Sequence, residues 1–205
     1  MRGIGGRSSG GRAATVGLFV PPTSHRAKGL VGQLMEAVLG ASAGSKDEPD
    51  FLEIQVELKT LPVVKGKPKE STFVTTINLL EVPDTDFEDS SVARKLARVM
   101  WVPVQADPHL ALSERRVGSA VLWSPSEAEY ATLRSDWDRI ADLVVSGEVD
   151  AITGHLGDAL QVRPKAADGS VRMRAPDGDG GYQWTGSRGF YLRTSFTQRI
   201  LEGLC

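Results

Sequence analysis

Apolar residues recur along this chain with two alternating periods, one of about 3.6 residues and one of about 2, and the switches between them mark its elements. In KGLVGQLMEAVLG, Leu30, Val31, Leu34, Met35, Val38 and Leu39 follow the helical i, i+3, i+4 spacing and predict a helix stopped by Gly40. GASAGSKDEP then breaks regular structure with small residues, Gly and Pro, and Lys46 sits at its tip. DFLEIQVELKT alternates and predicts a strand, LPVVKGKPKE a lysine-bearing turn, and STFVTTINLL a β-branched strand.

VPDTDFEDSS reads as a linker, and it divides the chain into a lobe of about residues 15–86 and one of about 87–205. SVARKLARVMWVPV predicts a short helix with Val92, Leu96 and Val99 inward, running into a strand, and SAVLWSP predicts another strand. The strongest helix follows. Ser124, Pro125 and Glu127 fit its N-cap, first-turn and capping-box positions, and Tyr130, Leu133, Trp137, Ile140 and Val144 form an apolar stripe that belongs to a core. DALQVRPKAADG predicts strand and turn, APDGDGGYQWTGSRG a loop, and FYLRTSFTQRIL a strand turning into a helix.

Composition narrows the class. With 40% hydrophobic and 24% charged residues the chain is an ordinary globular protein, and no apolar run reaches the roughly 18–20 residues of a membrane span. The single cysteine, Cys205, excludes a disulfide framework and suits a reducing cytoplasm. A net charge of −2 does not announce a nucleic-acid binder, although an average over faces can hide a basic cleft. Residues 1–14, opening MRGIGGRSSGGR, predict a disordered tail without the apolar segment of a signal peptide. His25, His109 and His155 lack ligand spacing, which argues against zinc.

The chemistry lies in the strand that opens after Pro49. With period two, Glu57 and Lys59 project from one face, opposite Val56 and Leu58. Asp50 has the other parity, and reaches Glu57 only from a bent strand or a hairpin turn. An acid followed by acid-x-Lys is an arrangement for metal-dependent phosphodiester cleavage, in which two carboxylates hold Mg2+ and the lysine positions or deprotonates water. By itself the spacing is weak, because an exposed Glu–Lys pair is commonplace on soluble strands.

The surrounding residues are more specific. LMEAVLGASAGSKDEPDFLEIQVELKTLPV, ESTFVTTINL, RKLARVMWVPV, LSERRVGSAVLWSP, LQVRPKAA and RGFYLRTSFT, in that order over roughly residues 28–200, resemble the MutH family of methyl-directed mismatch-repair endonucleases. That resemblance implies an α/β fold like that of type II restriction endonucleases: a mixed sheet flanked by helices, in two lobes around a DNA-binding cleft. It implies nicking of the unmethylated strand at hemimethylated GATC sites, with Mg2+, by a monomer activated by MutL that mismatch-bound MutS has loaded. Carried over by residue, it makes Asp50 and Glu57 metal-binding acids, Lys59 the catalytic lysine and Glu36 a further active-site acid. Lys46 and Phe73 match positions near DNA, Arg163 and Lys165 match base-reading positions, and Tyr191 matches a tyrosine that senses adenine methylation. An Arg at position 163 suits bidentate contact with guanine O6 and N7. The resemblance departs at the N-terminus, where a Gly/Arg stretch replaces a longer helical region, and at Ala97, where a basic residue is expected. A GATC restriction enzyme cutting both strands, or a DNA-binding homologue without catalysis, are the competing readings.

Overall fold

The computed structural model describes residues 29–41, 48–165 and 171–203. Residues 1–14, predicted as a tail, and Lys46 lie outside them. The described residues divide into two units of contact, one of residues 29–41, 48–70 and 97–124, the other of residues 71–96, 125–165 and 171–203. Helices and strands alternate in a mixed α/β architecture, and among the described residues no helix is long and apolar enough to cross a membrane.

In the first unit, helix α1 (Leu30–Leu39) ends at Gly40, whose φ of 78° is the left-handed cap a glycine adopts without strain. Strand β1 (Glu57–Val64) pairs antiparallel with the short β2 (Lys67–Pro68) and parallel with β4 (Val99–Gln105), which pairs with β5 (Val121–Trp123). Leu58, Val102 and Val104 pack with Leu34 and Met35 of α1, so this sheet face is apolar. Glu57 and Lys59 have the opposite parity. The predicted strand over 50–60 is shorter than its alternation suggests. Phe51 and Val56 exchange backbone hydrogen bonds of 2.9 and 3.2 Å around a one-turn segment, Leu52–Ile54, and Gln55 closes the turn at φ 53°. The lysine turn is also tighter than predicted, only Lys65 and Gly66 lying between β1 and β2.

In the second unit, strands β3 (Thr72–Thr76), β9 (Arg188–Leu192) and β6 (Leu160–Pro164) form an antiparallel sheet with β9 at its centre. Helix α2 (Ser91–Leu96) and the long α3 (Glu127–Val145) belong to this unit, as does α4 (Thr194–Glu202). The predicted stripe of α3 is core: Leu133, Trp137, Ile140 and Val144 are all buried. Its cap lies two residues beyond the predicted Ser124, at Ser126, which exchanges hydrogen bonds with Glu129. Strand β5 stays paired through Trp123, so Ser124 and Pro125 are consumed in leaving it.

Two further expectations are corrected. The predicted linker is packed structure: Val82–Asp84 and Phe87–Asp89 form one-turn segments, and Phe87 is buried with its ring 5.1 Å from Tyr130. The predicted loop over 175–189 contains a hairpin, β7 (Arg172–Pro176) with β8 (Tyr182–Gly186), turned by the glycine-rich segment that made it look irregular.

Candidate functional site

The turn before β1 explains how Asp50 overcomes its parity. Doubling back over residues 51–56, it aims the Asp50 carboxylate at the strand, where Oδ2 accepts a 2.7 Å hydrogen bond from the Leu58 amide. Lys59 Nζ donates to Glu57 Oε1 at 3.0 Å. Asp50, Glu57 and Lys59 are exposed by only 8%, 6% and 7%, which excludes the commonplace solvated Glu–Lys pair. Burying charged groups is costly unless they serve one another, which makes this cluster the candidate site of the first unit.

Glu36 joins the group from α1. Burial first, then the negative charges of Asp50 and Glu57, push its carboxyl above the usual range, while Lys59 pulls the other way. Glu36 thus senses two further acids and the Lys59 ammonium, and the carboxylates of Asp50 and Glu57 are oxygen donors of the kind a hard divalent cation takes. Because the folded-state affinity for the proton is raised, the stability Glu36 contributes is complete below its unfolded pKa and is lost as pH rises through the folded value. Glu36→Gln is thus expected to melt about 1–3 °C above the parent at about pH 7.5 in EDTA, a shift kept small by partial exposure, and level with it at about pH 4. Melting scans at both pH values test this; a gain that is larger in acid would contradict it.

Four of the five predicted DNA-facing residues assemble on one sheet, β3-β9-β6. Phe73 stands opposite Tyr191 in register, and their rings meet edge to face at 5.3 Å. Tyr191 is half-buried while Phe190 and Leu192 are buried, as strand parity predicts. Lys165 Nζ lies 5.3 Å from the Phe73 ring centroid and donates to Thr76 Oγ1 at 2.5 Å, and Arg163 Nη1 donates to Ser71 Oγ at 2.8 Å. Gly189, paired with Arg163, makes this closeness possible: a Cβ there would lie 2.9 Å from the Phe73 ring. Arg163 and Lys165 are exposed, and each head group is held by a hydroxyl rather than a carboxylate, which leaves the positive charge unneutralised by that partner.

Sequence reading missed the residues that set up β6. Asp136, buried within the α3 stripe, accepts hydrogen bonds of 2.7–3.0 Å from the amides of Asp158, Ala159 and Leu160. From the other side Arg193 donates to the carbonyls of Gly157, Gly154 and Leu156 at 2.7, 2.9 and 3.0 Å. The loop entering β6 is clamped by its amides and its carbonyls at once. The available signal was an acid at a stripe position, between Leu133 and Ile140.

A family model described as "DNA mismatch repair enzyme MutH" matches residues 39–136. The chain is 47% identical over 191 residues to the DNA mismatch repair protein MutH of Shewanella sp. (strain MR-7), covering 93% of this chain and 86% of that protein. It is 45% identical to the MutH of Shewanella oneidensis over 187 residues, which cover 91% of this chain and 84% of the relative. At 47% identity over 93% of its length, the chain belongs to the MutH family of DNA mismatch repair enzymes.

Proposed function

We propose that this protein is a Mg2+-dependent endonuclease that nicks the unmethylated strand of double-stranded DNA at hemimethylated GATC sites. It acts as a monomer in the cytoplasm, activated by MutL that MutS has loaded at a mismatch. The observation that carries the catalytic half is the buried Glu57–Lys59 pair beside Asp50 and Glu36. Asp50 and Glu57 are the residues that would hold the ion. Among the described residues no three His, Cys, Asp or Glu side chains are grouped to chelate one ion, and two carboxylates completed by water are the form Mg2+ commonly takes. Bound there, Mg2+ supplies Lewis acidity toward water and the scissile phosphate.

The protein's own groups supply the rest. Lys59, oriented by Glu57, presents its ammonium to the attacking water or the phosphate oxygens. Glu36, whose carboxyl favours its proton more than an ordinary glutamate does, can hold a proton within the site. Base reading falls to Arg163 and Lys165, and methyl sensing to Tyr191. Its ring, fixed edge-on by Phe73, can reject the bulk that an N6-methyl group adds in the major groove.

The test is a supercoiled plasmid with a hemimethylated GATC site, incubated with Mg2+, with and without MutL. Open circles with the break in the unmethylated strand are expected. Linear product would identify an enzyme cutting both strands, and a gel shift without cleavage a binding protein. For base reading, Arg163→Ala is expected to cost about 1–3 kcal/mol, lost as discrimination between GATC and other sites. Equal weakening on both DNAs, with a shallower salt dependence, would make Arg163 a phosphate anchor instead.

A further inference from the structure

The β7–β8 hairpin carries a surface that none of these roles uses. Residues directly opposed in an antiparallel pair share a face, and Arg174 opposes Trp184, Arg172 opposes Gly186, and Pro176 opposes Tyr182. One face therefore carries Arg172, Arg174, Tyr182 and Trp184 together. The other is anchored: Ala175 and Thr185 are buried, and Gln183 Nε2 donates to the carbonyls of Gly147 and Pro176 at 2.6 and 2.9 Å. A hairpin fixed on one side thus displays two aromatic rings on the other, with Tyr182 exposed by 59% and Trp184 by 63%.

Their cationic neighbours indicate what such rings are for. The Arg174 guanidinium lies 4.0 Å from the Tyr182 ring centroid, and Arg172 Nη2 donates to the Trp184 carbonyl at 3.0 Å. Among the described residues neither arginine forms an ion pair. The nearest acid along the turn, Asp177, is occupied by the amides of Asp179 and Gly181. Two arginines without acidic partners favour a polyanion over an apolar protein face. An exposed indole beside them favours one whose bases can stack, because duplex bases turn only their edges outward and unpaired bases offer a π face.

The hairpin also continues the strands that carry Arg163 and Tyr191. Lys165 N donates to the Ser187 carbonyl at 2.9 Å and Ser187 N to the Val171 carbonyl at 3.0 Å, joining the β6–β9 pair to β7–β8. We infer that the outer face of this hairpin, built on Trp184, Tyr182, Arg172 and Arg174, is a binding site for single-stranded DNA, with bases stacking on Trp184 and the arginines meeting phosphates.

The fluorescence of the protein reads this site directly. Of its four tryptophans, Trp101, Trp123 and Trp137 are buried, so Trp184 alone answers to a surface ligand. The full chain, in EDTA, is titrated with a single-stranded thymidine oligonucleotide and with a duplex of equal length that lacks GATC. Expected are quenching that weakens with added salt and a preference of about tenfold for the single strand. By anisotropy of a labelled strand, Trp184→Ala loses about tenfold in affinity, Arg174→Gln loses several-fold, and Trp184→Phe retains most of it. All three variants nick a GATC plasmid at the parental rate. Unchanged Trp184 emission, equal affinity for the duplex, or undiminished strand binding by Trp184→Ala would each overturn the inference. None of these readouts needs metal or cleavage, so the inference and the proposed nicking activity fail independently.

Discussion

Glu57→Ala is expected to lower nicking of a GATC plasmid by at least about 10³-fold while leaving affinity for GATC duplex within a few-fold. A metal-bound site supplies several kcal/mol of transition-state stabilisation, and each 1.36 kcal/mol is tenfold in rate. Removing this carboxylate takes away a proposed ligand of the ion and the partner that orients Lys59. Breaking a buried ion pair ordinarily destabilises by about 3–5 kcal/mol, but here Glu36 remains to attract the ammonium, so the expected loss lies at the lower end of that range. Its melting curve, run beside the plasmid assay, separates lost chemistry from lost structure. Ca2+ in place of Mg2+ is expected to support DNA binding without cleavage, because its looser coordination positions water poorly. Parental nicking by a folded Glu57→Ala would remove the acidic cluster from the mechanism.

Asp136→Ala is expected to destabilise the protein by about 3–5 kcal/mol, which for a chain of this size lowers the melting temperature by roughly 10 °C. The substitution leaves the amides of Asp158, Ala159 and Leu160 without their acceptor, and Ala159 and Leu160 are fully buried. Unsatisfied buried donors cost about 1–3 kcal/mol each, less what the loop recovers by shifting. Asp136→Asn, which keeps one accepting oxygen, is expected to lose about half as much. Thermal melts of the parent and both variants rank the three. Melting of Asp136→Ala within 2 °C of the parent would mean that β6 is held by its sheet partners alone.

The helix over Leu30–Leu39 and the α3 stripe are legible because each combines a 3.6-residue apolar period with a local stop, Gly40 for the first and, one residue past the Ser146 cap, Gly147 at φ 76° for the second. Strand β9 was legible through parity, Phe190 and Leu192 inward and Tyr191 between them. The β7–β8 hairpin was not. Its strands carry Arg, Tyr and Trp outward and Met173, Ala175, Gln183 and Thr185 inward, so a single large apolar side chain faces in and no apolar alternation announces it. The segment from Val82 to Asp89 has the composition of a linker because acids dominate it, yet Val82 and Phe87 are both buried and bind it into the core.

For the acidic cluster, the sequence determined the residue types, the shared face of Glu57 and Lys59, and the need for a turn to bring Asp50 in. Those follow from backbone geometry over a few residues, which is local and periodic. Only the tertiary structure decided that Glu57 and Lys59 are buried, that Glu36 feels both Asp50 and Glu57, and that Asp136 and Arg193 clamp the loop before β6. Burial and electrostatic environment depend on what packs over a residue from distant parts of the chain, and hydrogen bonds spanning 22–39 residues leave no period in the sequence to read.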